Sequence, residues 1–325
     1  MRIKKLSTPG RVLIAVLALL TPVALGAAAS SANAIPSPVT WTVLVGNQAG
    51  GSAIQGERFL PGDITIDAGD SVTWKANSTE PHTVTFFGGG VPQDTLTEFN
   101  PVDPQQNAVQ GPDAMDGASY FNSGVLTTLP SINALPPTAT IATSYTLSFP
   151  DAGNFTYYCL VHGKMMRGIV HVQEAGAPYP ASQDDVDADA AWLAGAIVTD
   201  GRALRAQAKA AATNHRVITG ADDGVAMVMR FVNGKVVVHK GQKVTFVNNM
   251  SMGAPHTVTF GIPHAGPGIL DAYGSPANYK GGDLSSSIIP PHGRFTVTFN
   301  KVGTYSYICL LHSQLGMVGK VVVTK

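Results

Sequence analysis

Cys159 and His162 stand three residues apart near the middle of the chain, and Cys309 and His312 repeat that spacing near its end. These are the chain's two cysteines. Each Cys-x-x-His follows an aromatic, strand-like run (Phe155-Thr156-Tyr157-Tyr158 and Tyr305-Ser306-Tyr307-Ile308) and leads into Met-x-Gly, at Met166-Arg167-Gly168 and Met317-Val318-Gly319. A tight turn at this spacing brings a thiolate and an imidazole nitrogen onto one metal ion. A second imidazole is offered upstream in the same words, Pro81-His82-Thr83-Val84-Thr85-Phe86 and Pro255-His256-Thr257-Val258-Thr259-Phe260. The candidate ligand sets are His82, Cys159, His162 and Met166, with Met165 as the alternative thioether, and His256, Cys309, His312 and Met317. Thiolate, imidazole and a weak thioether suit copper cycling between Cu(I) and Cu(II). Zinc accepts thiolate and imidazole but has no use for a thioether.

The twice-repeated His-Thr-Val, the Gly-x-Tyr/Phe-x-Tyr-x-Cys approach and the Met-x-Gly exit resemble the cupredoxins, the blue-copper family that includes plastocyanin, azurin and amicyanin. The resemblance spans about 44–173 and 226–325. It implies one type 1 copper site per repeat and single-electron transfer with protein redox partners. Met317 follows His312 by five residues, the plastocyanin spacing; Met166 follows His162 by four, as in azurin, and Met165 by three, as in amicyanin. Met166 is preferred because Met-x-Gly is the exit common to all three patterns. Unequal loops imply two sites that are not electronically identical. In this family the C-terminal histidine ligand is the usual electron port. Leu160, Val161, Leu310, Leu311 and Leu315 around the loop histidines therefore read either as core packing or as an apolar collar on which a redox partner docks.

Short alternating strands must position these groups. Ile64–Asp67 and Ser71–Trp74 flank a turn at Ala68-Gly69-Asp70, and Val236–His239 and Lys243–Phe246 flank Lys240-Gly241-Gln242. The arrangement is an internal duplication of about 100 residues. Strands of this kind build a β-sandwich. The expected fold is all-β: two Greek-key cupredoxin sandwiches, 35–174 and 223–325, joined by a helical linker, 175–222. After Phe87 the first copy carries a Gly-, Pro- and Asn-rich insertion over 88–126, expected as an irregular flap. The linker has Ser182 as an N-cap, acids in its first turn and an apolar stripe of Val186, Trp192, Leu193, Ile197 and Leu204. It reads as a spacer or as a helix packed on a sandwich flank with Trp192 buried; Asp200-Gly201 is a candidate kink.

Residues 1–34 read as a signal peptide: a basic start, an apolar run over Val12–Leu20 too short to span a bilayer, and Ala32-Asn33-Ala34 as the cleavage site. The mature chain is then expected to be exported, periplasmic or extracellular, with no stable membrane span. Export makes a Cys159–Cys309 disulfide the competing use of the cysteines. Lys plus Arg and Asp plus Glu are both 21, so no charge excess points to nucleic acid. Two cupredoxin domains in one chain also resemble copper nitrite reductases and two-domain laccases. Those place a histidine beside the ligand cysteine, where this chain has Tyr158 and Leu160, then Ile308 and Leu310, and it contains no His-x-His. A non-enzymatic electron carrier is expected. Copper storage or delivery is the alternative.

Overall fold

The computed structural model describes residues 37–88, 99–132, 135–251, 254–264 and 268–325, and from residue 37 onward they form one compact unit. The proposed signal segment lies outside the described residues. Alternation decides the strands: in Ser71–Ala76 the side chains of Val72, Trp74 and Ala76 are buried while Lys75 is exposed.

Each half is a sandwich. The first half's six-stranded sheet runs Asp63–Asp67, Gly163–Gln173, Gly153–Cys159, Thr85–Phe86, Phe121–Ser123, Val109–Gln110. The second runs in the same order through Lys235–His239, Val318–Thr324, Gly303–Ile308, Thr259–Phe260, Leu284–Ser286 and Ala272–Tyr273. Both pack their cores against one eight-stranded sheet shared by the whole chain. Its first four strands belong to the first half and its last four to the second. The seam is the antiparallel pairing of Ile54–Leu60 with Ala226–Val232, in register at Ile54 and Val228, Gln55 and Met227, Gly56 and Ala226. Two edges that would otherwise be open are thereby closed on one another.

Arginines at equivalent positions bridge this seam in opposite directions. Arg58 donates across it to the carbonyl oxygen of Gly224 and within its own half to that of Met165, both at 2.8 Å, and Arg230 donates across it to those of Gly51 and Ser52.

The helix, Gln183–Ala211, is capped by Ser182 in a capping box with Asp185. It lies over the seam: Ile197 and Ala190 cluster with Leu60 and Ala226, and Ala208 with Ile218 and Val228. The expected burial of Trp192 is corrected: the side chain is 73 % exposed. Val186, Ala190, Ile197, Gly201 and Ala208 face the sheet, and small residues there let the helix approach closely. Gly201 is likewise no kink; a Cβ there would sit 2.4 Å from Ile54 Cγ2, and the helix runs through it unbroken. The helix ends at Ala211, and Arg216–Asp222 is already a strand of the second half.

The insertion is only partly irregular. Residues 89–98 lie outside the described residues, but Val109–Gln110 and Phe121–Ser123 extend the first sheet, and Phe121 and Met115 are buried in its core. Strands of two or three residues are too short to show an alternating pattern.

Candidate metal centres

Each half brings its two candidate histidines and its cysteine together, with the candidate methionine buried in the same core. Cys159 closes strand Gly153–Cys159, His162 sits in the turn that follows, and Met166 lies on the returning strand Gly163–Gln173. His82 is fixed by a two-way backbone bridge to Leu126, with N–H to O distances of 3.0 and 2.7 Å. The second half repeats this: His256 bridges Ile289, and a single 3₁₀ turn, Ser313–Leu315, carries the chain from His312 to Met317.

The sulfur-to-nitrogen distances agree between the halves. Cys159 Sγ lies 3.8 Å from His82 Nδ1 and 3.4 Å from His162 Nδ1. Cys309 Sγ lies 3.8 Å from His256 Nδ1 and 3.4 Å from His312 Nδ1. In each half the ligand atoms of the two histidines and the cysteine all lie within 4.8 Å of one another. The cysteines are free and fully buried, which removes the disulfide reading. Met166 and Met317 are fully buried in the same cores as the cysteines. Met165 is 37 % exposed, with its methyl group against Gly224 of the other half, and is not part of the buried core that holds the sulfur.

The threonine after each upstream histidine ties the two segments together. The Thr83 N–H donates to Cys159 Sγ at 3.4 Å, and Thr83 Oγ1 accepts from the Leu160 N–H at 2.8 Å. Thr257 does the same for Cys309 and Leu310 at the same distances. An N–H aimed at sulfur favours the thiolate. The repeated His-Thr-Val pointed to these threonines; their task shows only in the fold.

The Met-x-Gly exit also has a contact behind it. A Cβ on Gly168 would lie 2.2 Å from Gly62 O and 2.4 Å from Tyr157 Cζ; on Gly319, 2.6 Å from Gly234 O and 2.4 Å from Tyr307 Cζ. Both tyrosines donate to those carbonyls, at 3.1 and 3.2 Å.

Burial sets the protonation of the donors. It pushes the Cys159 thiol up to about 11 and raises Cys309. It lowers all four imidazoles, His162 to about 3 and His312 to about 4. Neutral imidazoles whose Nδ1 atoms gather around one buried sulfur are what a metal ion requires and what a hydrophobic core by itself does not supply. At His82 the tautomer follows from its partners. Ser78 donates to the Glu80 carbonyl at 3.3 Å, so its oxygen accepts from His82 Nε2–H at 3.0 Å, which leaves Nδ1 free.

A family model for copper-binding proteins of the plastocyanin/azurin family matches residues 216–324. Plastocyanin from Solanum crispum is 38 % identical over 107 residues, covering 33 % of this chain and 97 % of that protein. The chain belongs to the plastocyanin/azurin family. Plastocyanin A'/A'' from Nicotiana tabacum is likewise 38 % identical, over 110 residues, covering 33 % of this chain and 97 % of its own. Among solved structures, amicyanin from Paracoccus versutus aligns with 41 % of this chain and 81 % of its own at 21 % identity and a TM-score of 0.25.

Copper is thus the metal to test against this family member's donors, and the residues fit it: soft sulfur, two imidazoles and a thioether in each half. The other histidines are engaged elsewhere. His171 bonds Asn154, His215 the Lys243 carbonyl and His239 the Lys325 carbonyl, while His264 stacks on Tyr273 at 3.7 Å. His292 sits in a turn at φ 60°.

The docking collar is corrected. His162 and His312 are 5 % and 6 % exposed, and Leu160, Leu310 and Leu315 are buried. Leu315 packs with Met227, Met229, Met250 and Ala254, and with Leu129 of the first half. Leu315 is thus used between the halves, while Val161 and Leu311 are partly buried against the cores of their own halves. Glu80, which the sequence reading passed over, lies at that boundary; its only signal was an acid where the second copy has Ala254.

Proposed function

We propose that this chain is an exported electron carrier with two type 1 copper sites, one in each half, and that it exchanges electrons with protein redox partners. The ligands are His82, Cys159, His162 and Met166 in the first half, and His256, Cys309, His312 and Met317 in the second. The observation that carries the reading is the recurrence of one buried Cys-His-His set at matching distances in both halves. Copper, when bound, supplies the Cu(I)/Cu(II) couple.

The chain's own residues do the rest. Thr83 and Thr257 hold the sulfurs by backbone N–H donation, and the sandwich walls fix the imidazoles. The buried cores limit rearrangement between oxidation states. No helix among the described residues is long and apolar enough to cross a membrane. Burial of the sets favours a carrier over a delivery protein, which needs an accessible metal.

The test is metal content and the visible spectrum of purified mature protein. Two coppers and an intense thiolate-to-copper band are expected, and Cys159→Ser and Cys309→Ser should each remove about half of both. Full copper retention in either variant refutes the assignment. N-terminal sequencing of secreted protein should begin at Ile35.

A further inference from the structure

Glu80 is 1 % exposed and sits where the two halves meet. One of its oxygens, Oε1, lies 4.0 Å from Nε2 of His162 and 3.9 Å from Nε2 of His312. The two loop histidines, one from each half, therefore turn their outer edges toward a single carboxylate oxygen. Their Nε2 atoms are separated by no more than the sum of those distances. Nδ1 of each ring faces its own cysteine sulfur at 3.4 Å. An unbroken sequence of groups thus runs Cys159, His162, Glu80, His312, Cys309. His162 Nε2 and Glu80 Oε2 have no hydrogen-bond partner among the described residues, and the two approaches to Oε1 are ion-pair distances rather than hydrogen bonds. Solvent does not reach the gap, since both rings and the carboxylate are buried.

The surroundings of the upstream histidines differ between the halves. His82 Nε2 donates to Ser78 Oγ at 3.0 Å. At the equivalent place the second half has Met250: a Cβ on Gly220 would lie 2.2 Å from His256 Nε2 and 2.9 Å from Met250 Sδ. His256 Nε2 has no hydrogen-bond partner among the described residues. Beside it Met250 belongs to a packed apolar cluster with Met227, Met229, Ala254 and Leu315. Hydrogen bonding to a ligating imidazole makes it a stronger donor and favours the higher charge; an apolar shell favours the lower one.

Resting on the two-copper reading above, we propose that the two centres are an internally coupled pair, that Glu80 joins them by bridging His162 and His312, and that the electron settles on the second half. The step balances simply. One electron leaves the first centre, Cu(I) becoming Cu(II), and enters the second, Cu(II) becoming Cu(I), with no proton or bond exchanged. An external partner cannot use the loop histidines as its contact, because both are buried where they face Glu80.

The test has metal-free and metal-loaded arms. In the copper-free chain, imidazole ¹⁵N spectra should show the Nε2 resonances of both His162 and His312 moving in Glu80→Gln. In the fully oxidised two-copper protein, EPR should show dipolar coupling between the centres that is absent from Cys159→Ser and Cys309→Ser. After photoreduction by a small donor to one electron per chain, redistribution between centres should be independent of protein concentration. It should slow in Glu80→Leu, because the gap between the two imidazoles then lacks the carboxyl group. Cys309→Ser, which keeps the first centre, should titrate at a lower potential than Cys159→Ser.

Two bound coppers without dipolar coupling, or a redistribution rate proportional to concentration, overturns the proposal and leaves the copper assignment standing. An unchanged rate in Glu80→Leu overturns the role of Glu80, and a reversed order of potentials overturns the direction. A chain that takes up fewer than two coppers overturns both readings.

Discussion

Replacing Gly319 by alanine places a methyl carbon 2.4 Å from Cζ and 2.5 Å from the hydroxyl oxygen of Tyr307, and 2.6 Å from the carbonyl oxygen of Gly234. A rotamer change cannot relieve these contacts. One is with backbone, and the Tyr307 ring is held by Phe231, Phe246 and Phe260 at centroid distances of 4.8, 5.0 and 5.3 Å. Either Val318–Thr324 lifts from Lys235–His239 or the tyrosine turns. Overpacking of this kind costs about 1–3 kcal/mol, and losing the buried Tyr307 hydrogen bond adds about 1 kcal/mol. Gly319→Ala should therefore lose about 2–4 kcal/mol in guanidinium unfolding. Met317 lies two residues away, so the visible band of the second centre should shift while that of the first stays. Gly168→Ala should mirror this in the first half, where the corresponding contacts are 2.2 Å to Gly62 O and 2.4 Å to Tyr157 Cζ. A Gly319→Ala protein within about 0.5 kcal/mol of the parent, with an unchanged spectrum, would refute the reasoning.

Helix glycines should separate by environment: Gly195→Ala, with nothing within 4 Å, should gain about 0.5–1 kcal/mol in thermal or denaturant unfolding, whereas Gly201→Ala, against Ile54, should destabilise. Trp192→Ala should change stability by less than about 0.5 kcal/mol, because the ring is already in solvent. Met166→Leu should alter the absorption and potential of the first centre, and Met165→Leu should leave both unchanged. Thr83→Val strands the buried Leu160 N–H and should cost about 1–3 kcal/mol by denaturant unfolding, with loosened copper at the first centre only.

The chemistry was legible in the sequence because metal-binding side chains declare themselves by type and local spacing. Cys-x-x-His and Met-x-Gly lie within one turn and one strand, and the duplication showed each set twice. The β-sandwich halves were equally legible from alternation in strands such as Ser71–Ala76. Trp192 misled because the helix docks through alanine and glycine, which carry little hydrophobic signal, and the large ring falls on the other side.

The sequence by itself determined which residues could meet around each sulfur and that there are two such places. Only the tertiary structure decided how the two places face one another. Pairing of Ile54–Leu60 with Ala226–Val232 depends on backbone edges, which no side chain announces, and that pairing turns His162 and His312 inward onto Glu80. An exposed histidine and a buried one have the same neighbours in sequence; what differs is the surface that comes to rest against them.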